Sequence, residues 1–78
     1  MRRIATIAQD IISDWKRPSH GAIPYIIAMK ELGDFEDYYG CDSGEEIVLR
    51  FLCNAGGWRG NKAREIKAEL KAGLKAAS

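Results

Sequence analysis

Residues 43–70 place the strongest limit on what this chain can fold into. Ser43 is followed three residues later by Glu46, which is the S-x-x-E pattern of a helix N-terminal capping box. An apolar run over residues 47–53 follows, and the double glycine Gly56–Gly57 comes shortly after it. Start and stop signals of this kind favour a helix over the competing strand interpretation of the apolar run. The stretch is therefore predicted to be an apolar helix, a glycine turn and a basic amphipathic helix.

This helix pair is also the pattern of a DNA-reading helix-turn-helix. Its second helix is rich in Lys and Glu and poor in the Asn, Gln, Ser and Thr side chains that read base edges. A plain helical hairpin is the preferred interpretation.

Apolar spacing predicts two more helices upstream. Ile4, Ile7, Ile11 and Trp15 fall on one stripe at helical period, and Pro18 stops that helix. Ser19 or His20 is expected to cap the next helix, with Pro24 in its first turn. The predicted fold class is all-α, a compact bundle of four helices at about 3–16, 20–32, 43–55 and 58–75.

A chain of 78 residues has room for one domain, 1–78, with one hydrophobic core. Residues 34–40 are expected to form a short connection with one helical turn capped by Asp34. Phe35 and one of Tyr38 and Tyr39 should close over the core, and Leu49 and Cys53 should widen the buried face of the third helix. The core is predicted to draw on Ile7, Ile11, Trp15, Ile26, Met29, Phe51, Leu52, Ile66 and Leu70.

Charge is strongly segregated along the chain although the net charge is only +1. Residues 31–46 contain seven acids and no base, whereas residues 59–75 contain six bases and two acids. Two candidate binding surfaces follow. The acidic-aromatic surface consists of Asp34, Glu36, Asp37, Tyr38 and Asp42. The basic set, a possible nucleic-acid contact, consists of Arg59, Lys62, Arg64, Lys67 and Lys71. Because a dedicated nucleic-acid binder is usually basic overall, a solvated face is the preferred interpretation of the basic set.

No catalytic, cofactor-binding or metal-binding constellation is visible. Cys41, Cys53 and the single His20 cannot complete a four-ligand zinc site. One disulfide is an open alternative, but small secreted domains usually carry more, so free thiols in a reducing, cytosolic setting are preferred, with Cys53 buried. Residues 2–16 lack the features of a signal peptide, and no run approaches the length of a membrane span, so a cytoplasmic location is expected.

The chain resembles a family of small proteins of bacterial phages and integrative mobile elements. The motifs that carry the resemblance run through nearly the whole chain: Asp14-Trp15-Lys16, Pro24-Tyr25, Ala28-Met29, Tyr39-Gly40, Asp42-Ser43, Phe51-Leu52, Asn54-Ala55, Trp58-Arg59-Gly60, Ile66-Lys67 and Glu69-Leu70-Lys71. No family activity accompanies it. The resemblance implies a context in which small accessory proteins bind and block host defence nucleases, as anti-CRISPR proteins do.

The expected function is therefore that of a non-enzymatic protein that binds and modulates a host protein, such as a nucleic-acid-processing defence complex. Two alternatives stay open. One is a small nucleic-acid-binding accessory protein that uses the basic set. The other is a structural module that forms homo-oligomers, although a monomer is equally compatible with the sequence.

Overall fold

A computed structural model describes residues 2–77, so the predicted domain limits at Met1 and Ser78 lie outside the described residues. Its four helices confirm the predicted number. They are α1 (Ile4–Asp14), α2 (Ile23–Met29), α3 (Gly44–Cys53) and α4 (Asn61–Ala77). The all-α prediction is wrong in one respect, because the strands β1 (Tyr38–Tyr39) and β2 (Asp42–Ser43) form a small antiparallel ribbon between α2 and α3.

The ribbon depends on a two-residue turn. Tyr38 pairs with Ser43 and Tyr39 with Asp42, which leaves Gly40 and Cys41 to reverse the chain. Gly40 has a φ of +66°. A positive φ at the first central position is the requirement of a type II′ hairpin turn, and glycine meets it without strain. Strands of two residues are too short to show alternation, so the periodicity of the sequence does not reveal them.

The first two helices are shorter than predicted. Trp15 has extended backbone angles and ends α1 before Lys16. The prediction that Ser19 or His20 caps α2 is wrong, since Ala22 precedes the helix and makes no side-chain cap. The Ser19 hydroxyl instead donates to the carbonyl oxygen of Asn54 at 2.8 Å. Pro24 lies in the first turn, as predicted.

The capping residue of α3 is confirmed. Ser43 Oγ accepts a hydrogen bond from the backbone N–H of Glu46 at 3.3 Å. The Glu46 carboxylate turns towards Arg50, with 3.6 Å between the charged atoms, so only half of the capping box is present. The expected burial of Leu49 and Cys53 is wrong: Leu49 is 52% exposed and Cys53 is exposed. Leu49 lines an open surface depression with Leu74 of α4, and neither Leu49 nor Cys53 belongs to the buried cluster.

Successive helices run in opposite directions. The start of α1 meets the residues after α2, because the N–H groups of Ile4 and Ala5 donate to Gly33 and Leu32 at 2.9 Å. The start of α3 lies at the same end, where the N–H of Glu45 donates to the carbonyl of Phe35. At the opposite end of the bundle lie the last residues of α1 and α3 and the first residues of α4.

One apolar cluster fills the space between the helices. Phe35 is buried over it as predicted, but Tyr38 and Tyr39 are exposed, which corrects the expectation that one of them covers the core. Trp15 and Leu52 are partly buried at its margin. The other predicted core residues are all confirmed as buried: Ile7, Ile11, Ile26, Met29, Phe51, Ile66 and Leu70. Within residues 2–77, no helix is both long and apolar enough to cross a membrane.

Candidate functional site

The acidic-aromatic surface begins with a tight turn that its own aspartates hold together. Asp34 Oδ1 accepts hydrogen bonds from the N–H groups of Glu36 at 2.9 Å and Asp37 at 3.2 Å. Asp37 Oδ2 accepts from the N–H groups of Gly33 at 2.8 Å and Asp34 at 3.0 Å. Asp34 caps this turn as predicted, but the expected helical turn over 34–40 is wrong, since the segment makes only a tight turn before β1 begins at Tyr38. Both carboxylates therefore hold the turn together. The sequence interpretation assigned such a role to Asp34 and not to Asp37.

Asp37 carries an electrostatic signature of this task. The N–H groups of Asp34 and Gly33, and the positive charge of Arg3, hold the pKa of Asp37 below its ordinary value. The charged carboxylate is the form that accepts both hydrogen bonds, so the turn favours ionised Asp37. The turn is consequently a fixed negative feature of the surface at neutral pH.

The ribbon places its two tyrosines in solvent directly after this turn. Tyr38 is 69% exposed and Tyr39 is 44% exposed. The ribbon is held to α3 by the N–H of Gly44, which donates to the carbonyl of Asp37 at 2.7 Å. The two aromatic rings are thus displayed on a backbone that is tied down on both sides.

The acids of this surface are only partly neutralised. Arg50 lies 3.7 Å from Asp42 and 3.6 Å from Glu46, both beyond hydrogen-bond distance. Glu36 is exposed and has no ion pair among residues 2–77. The structure therefore brings together all five residues of the predicted surface. Among residues 2–77, the side chains of Glu36 and Tyr38 make no hydrogen bond or ion pair.

An open cleft of about 670 Å³ adjoins the acidic turn. It separates Phe35 and Asp37 from the last turns of α4, where Gly73 forms part of the wall. Arg2 and Glu69 also line the cleft, and they are bound to each other. The cleft extends the acidic-aromatic surface and adds an apolar floor to it.

The basic set does not form one uniform stripe. Four members are exposed, but Lys67 is half-buried, and its ammonium donates to the carbonyl oxygen of Trp58 at 2.7 Å. Lys67 Nζ also lies 5.9 Å from the centre of the Trp58 ring. At 3.6 residues per turn, Lys62 points about 180° away from Lys71. Lys62 instead faces α1, since its charge helps to lower the pKa of Asp10.

Trp58 is the centre of an aromatic cluster whose members come from two segments that are distant in the sequence. Its ring stacks on that of Trp15, with 5.7 Å between centroids and 11° between planes. Phe51 meets both tryptophans edge-on at 6.3 Å. Trp58 Nε1 donates to Asp14 Oδ2 at 2.8 Å. Trp58 is only 2% exposed, so it is a core anchor.

This stack brings together charges that sequence reasoning missed. Lys16 and Arg17 follow Trp15, and Arg59 follows Trp58, so two basic segments 42 positions apart meet at one end of the bundle. The only sequence signal is that a tryptophan precedes the bases in both places. We refer to this group as the basic end, which consists of Lys16, Arg17, Arg59, Lys62 and Arg64.

No family model, curated protein or solved structure matches this chain. Among residues 2–77, no group of three or more His, Cys, Asp or Glu side chains is placed to hold a metal ion. The two charged ends are accordingly the features on which a functional proposal can rest.

Proposed function

We propose that this chain is a non-enzymatic binding protein that docks its acidic-aromatic surface onto a basic surface of a protein partner. One observation carries the proposal: Tyr38 is 69% exposed on a ribbon that lies within a segment, residues 31–46, with seven acids and no base. Tyrosine is among the side chains that contribute most of the binding energy at protein interfaces.

The ribbon makes this surface ready for binding. Tyr38 and Tyr39 are held between the Asp34–Asp37 turn and the first residue of α3, so the surface is ordered before a partner arrives. Pre-ordering reduces the conformational entropy that is lost on association. The exposed carboxylate of Glu36, two positions before Tyr38, supplies charge complementarity, which raises the association rate and disfavours acidic partners.

A nucleic-acid-processing host protein is the partner class that this chemistry fits. The groove in which such a protein holds nucleic acid is basic, and aromatic side chains in it stack on bases. An acidic surface with two exposed tyrosine rings is complementary to both features. Modulation or inhibition of a defence nuclease complex follows as the specific form of the proposal, in keeping with the resemblance to phage and mobile-element proteins.

Affinity capture from nuclease-treated bacterial lysate tests the proposal. Tyr38→Ala and Glu36→Lys are the informative variants, because neither side chain holds the turn together. Both should lose the partner that the unaltered protein captures. Lys30→Glu is the matched control, since it changes an exposed charge outside the surface, and it should retain the partner.

Capture that survives both surface variants would overturn the assignment of the site. Capture that disappears with nuclease treatment would show that nucleic acid, and not protein, had been retained. Sedimentation of the purified protein and of its Tyr38→Ala variant shows whether the surface binds a second copy of the chain instead of a host protein.

A further inference from the structure

The end of the bundle opposite the acidic-aromatic surface is built from two loops that pack against each other. Residues 15–22 connect α1 to α2, and residues 54–60 connect α3 to α4. The Trp15–Trp58 stack joins them, and the hydroxyl of Ser19 donates to the carbonyl oxygen of Asn54 at 2.8 Å. The relative positions of the two loops are therefore fixed by packing and hydrogen bonding.

Positive charge dominates these loops and the first turn of α4. Residues 14–22 and 54–64 together contain five Lys or Arg residues, which form the basic end, and one acid, Asp14. Asp14 already accepts the hydrogen bond from Trp58 Nε1. All five bases are exposed, and none forms an ion pair with another described residue.

Lys67, whose ammonium donates to the carbonyl oxygen of Trp58, lies beside these bases. Burial lowers the pKa of Lys67, and the neighbouring positive charges of Lys71 and Arg59 lower it further. Unpaired like charges that are held close together are an electrostatic cost to the fold. An anionic ligand at this end would relieve that cost.

We propose that the basic end binds the phosphodiester backbone of nucleic acid. Arg17, Arg59 and Arg64 supply guanidinium groups, whose planar array of N–H donors matches phosphate oxygens. Trp15 is partly exposed between Lys16 and the Arg59 loop, where an aromatic edge can meet a base or sugar. The bundle is about 20 Å across, which corresponds to roughly six base pairs of duplex.

The orientation of α4 favours nucleic acid over an anionic membrane at this end, although Ile12 and Ile23 are exposed where α1 ends and α2 begins. A segment that lies on a membrane needs a broad apolar helix face free to enter the lipid. The long helix that begins here, α4, turns its apolar residues Ala63, Ile66 and Leu70 into the core. The charged groups at the start of α4 therefore have no apolar face on that helix that could enter a membrane.

This inference extends beyond the proposed function and is independent of it. The acidic-aromatic surface lies where α1 and α3 begin, and the basic end lies where they finish. The two ends can therefore be occupied together, so that the protein could hold a protein partner and nucleic acid at once.

Fluorescence anisotropy with labelled 12-nucleotide oligonucleotides tests the inference. Duplex DNA, single-stranded DNA and single-stranded RNA are used at 50 and 200 mM salt. With four phosphate contacts, duplex affinity should fall roughly 100-fold between these concentrations. Binding to any of the three supports the inference, and their order of affinity identifies the preferred form.

A matched pair of charge reversals locates the site. Lys16→Glu and Lys30→Glu make the same change at exposed lysines just after α1 and α2, but at opposite ends of the bundle. Lys16→Glu should weaken binding and lower the salt slope by about one, because one phosphate contact is lost. Lys30→Glu should bind as the unaltered protein does, and circular dichroism should show that both variants are folded.

Three results would overturn the inference. They are an absence of binding at 50 mM salt, an affinity that does not depend on salt, and equal weakening by the two reversals. In the first of these cases, binding to phosphatidylserine vesicles would identify a membrane surface as the ligand instead. Glu36→Lys should leave oligonucleotide binding intact, which keeps this result separate from a failure of the proposed protein partner.

Discussion

The indole N–H of Trp58 donates to the carboxylate of Asp14 at 2.8 Å across a separation of 44 positions in the chain. The bond fixes the Trp58 ring against Trp15, which stacks on it at 5.7 Å. It therefore anchors the loop after α3 to the end of α1. In this cluster, two tryptophans that are distant in the sequence pack directly against each other.

Trp58→Phe should lower the free energy of unfolding by about 1.5 kcal/mol, because it removes a hydrogen bond to a charged group while keeping an aromatic ring. Trp58→Ala should cost about 3–5 kcal/mol, since the core anchor is lost. Urea unfolding followed by circular dichroism measures both. Asp14→Asn keeps an acceptor oxygen and should cost less than Trp58→Phe. An unchanged urea midpoint for Trp58→Phe would contradict the assigned bond.

Gly44→Ala should be destabilising by about 1–3 kcal/mol, because it overpacks a site enclosed by backbone. A Cβ on Gly44 would lie 2.8 Å from the carbonyl oxygen of Asp34 and 3.0 Å from the Cα of Phe35. Neither atom can move without disturbing the acidic turn. Gly57→Ala is the control, as its Cβ would meet nothing within 4 Å, and it should change stability by less than about 0.5 kcal/mol. Equal effects in thermal melts would refute this packing.

Asp37→Asn should flatten the acid side of the pH–stability profile. The folded-state pKa of Asp37 lies below its ordinary value of 3.8, so its stabilising contribution is present above that value and is lost as pH falls through the folded pKa. Urea midpoints between pH 5 and pH 2 measure the slope. Asp10 and Glu69, whose pKa values Arg2 lowers, keep part of it. A slope as steep in Asp37→Asn as in the unaltered protein would argue against the turn.

Arg2→Lys should lower the free energy of unfolding by about 0.5–1 kcal/mol. The guanidinium of Arg2 donates to both carboxylate oxygens of Glu69, at 3.1 and 2.7 Å, and also to Asp10, so it ties α1 to α4. Lysine cannot reproduce the two-pronged geometry. The loss should shrink in 1 M salt, because these side chains are part-exposed. Arg50→Lys, which loses only contacts longer than 3.5 Å, should change stability less.

Cys41 and Cys53 should both react with a thiol reagent in the native protein, since both are exposed and free. Spectrophotometric titration without denaturant should detect two thiols per chain, with the same number after unfolding. Cys53→Ser identifies the contribution of α3. A thiol that reacts only after unfolding would contradict its exposure.

Local sequence signals predicted that the helices exist more reliably than they predicted the residues at which the helices begin and end. Ser43 predicted the start of α3 correctly because a cap is a contact between neighbours in sequence. The end of α1 was placed two residues too late, since Trp15 leaves the helix to stack on Trp58, which no local pattern encodes. The apolar run of α3 contained Leu49 and Cys53, and only the positions of the neighbouring helices decided that these face solvent.

For the candidate surfaces too, the sequence predicted some features, and others could be seen only in the structure. Segregation of acids and bases along the chain led to Glu36 and Tyr38 being predicted as members of one surface without any structure. The structural roles of Asp37 and Lys67 could not be foreseen, because each depends on backbone groups that folding brings within hydrogen-bond distance. Lys16 and Arg17 were missed as partners of Arg59 for the same reason.

The sequence by itself determined four helices, most of the core and a charge pattern with acids before α3 and bases after it, because periodicity and capping act over a few residues. Tertiary structure decided which charged groups lie together at each end of the bundle. It did so by reversing the chain at each connection, so that α1 and α3 both begin at the acidic end and both finish at the basic one. Residues that are far apart in sequence become neighbours only through that reversal, and the Trp15–Trp58 stack is the contact that holds them there.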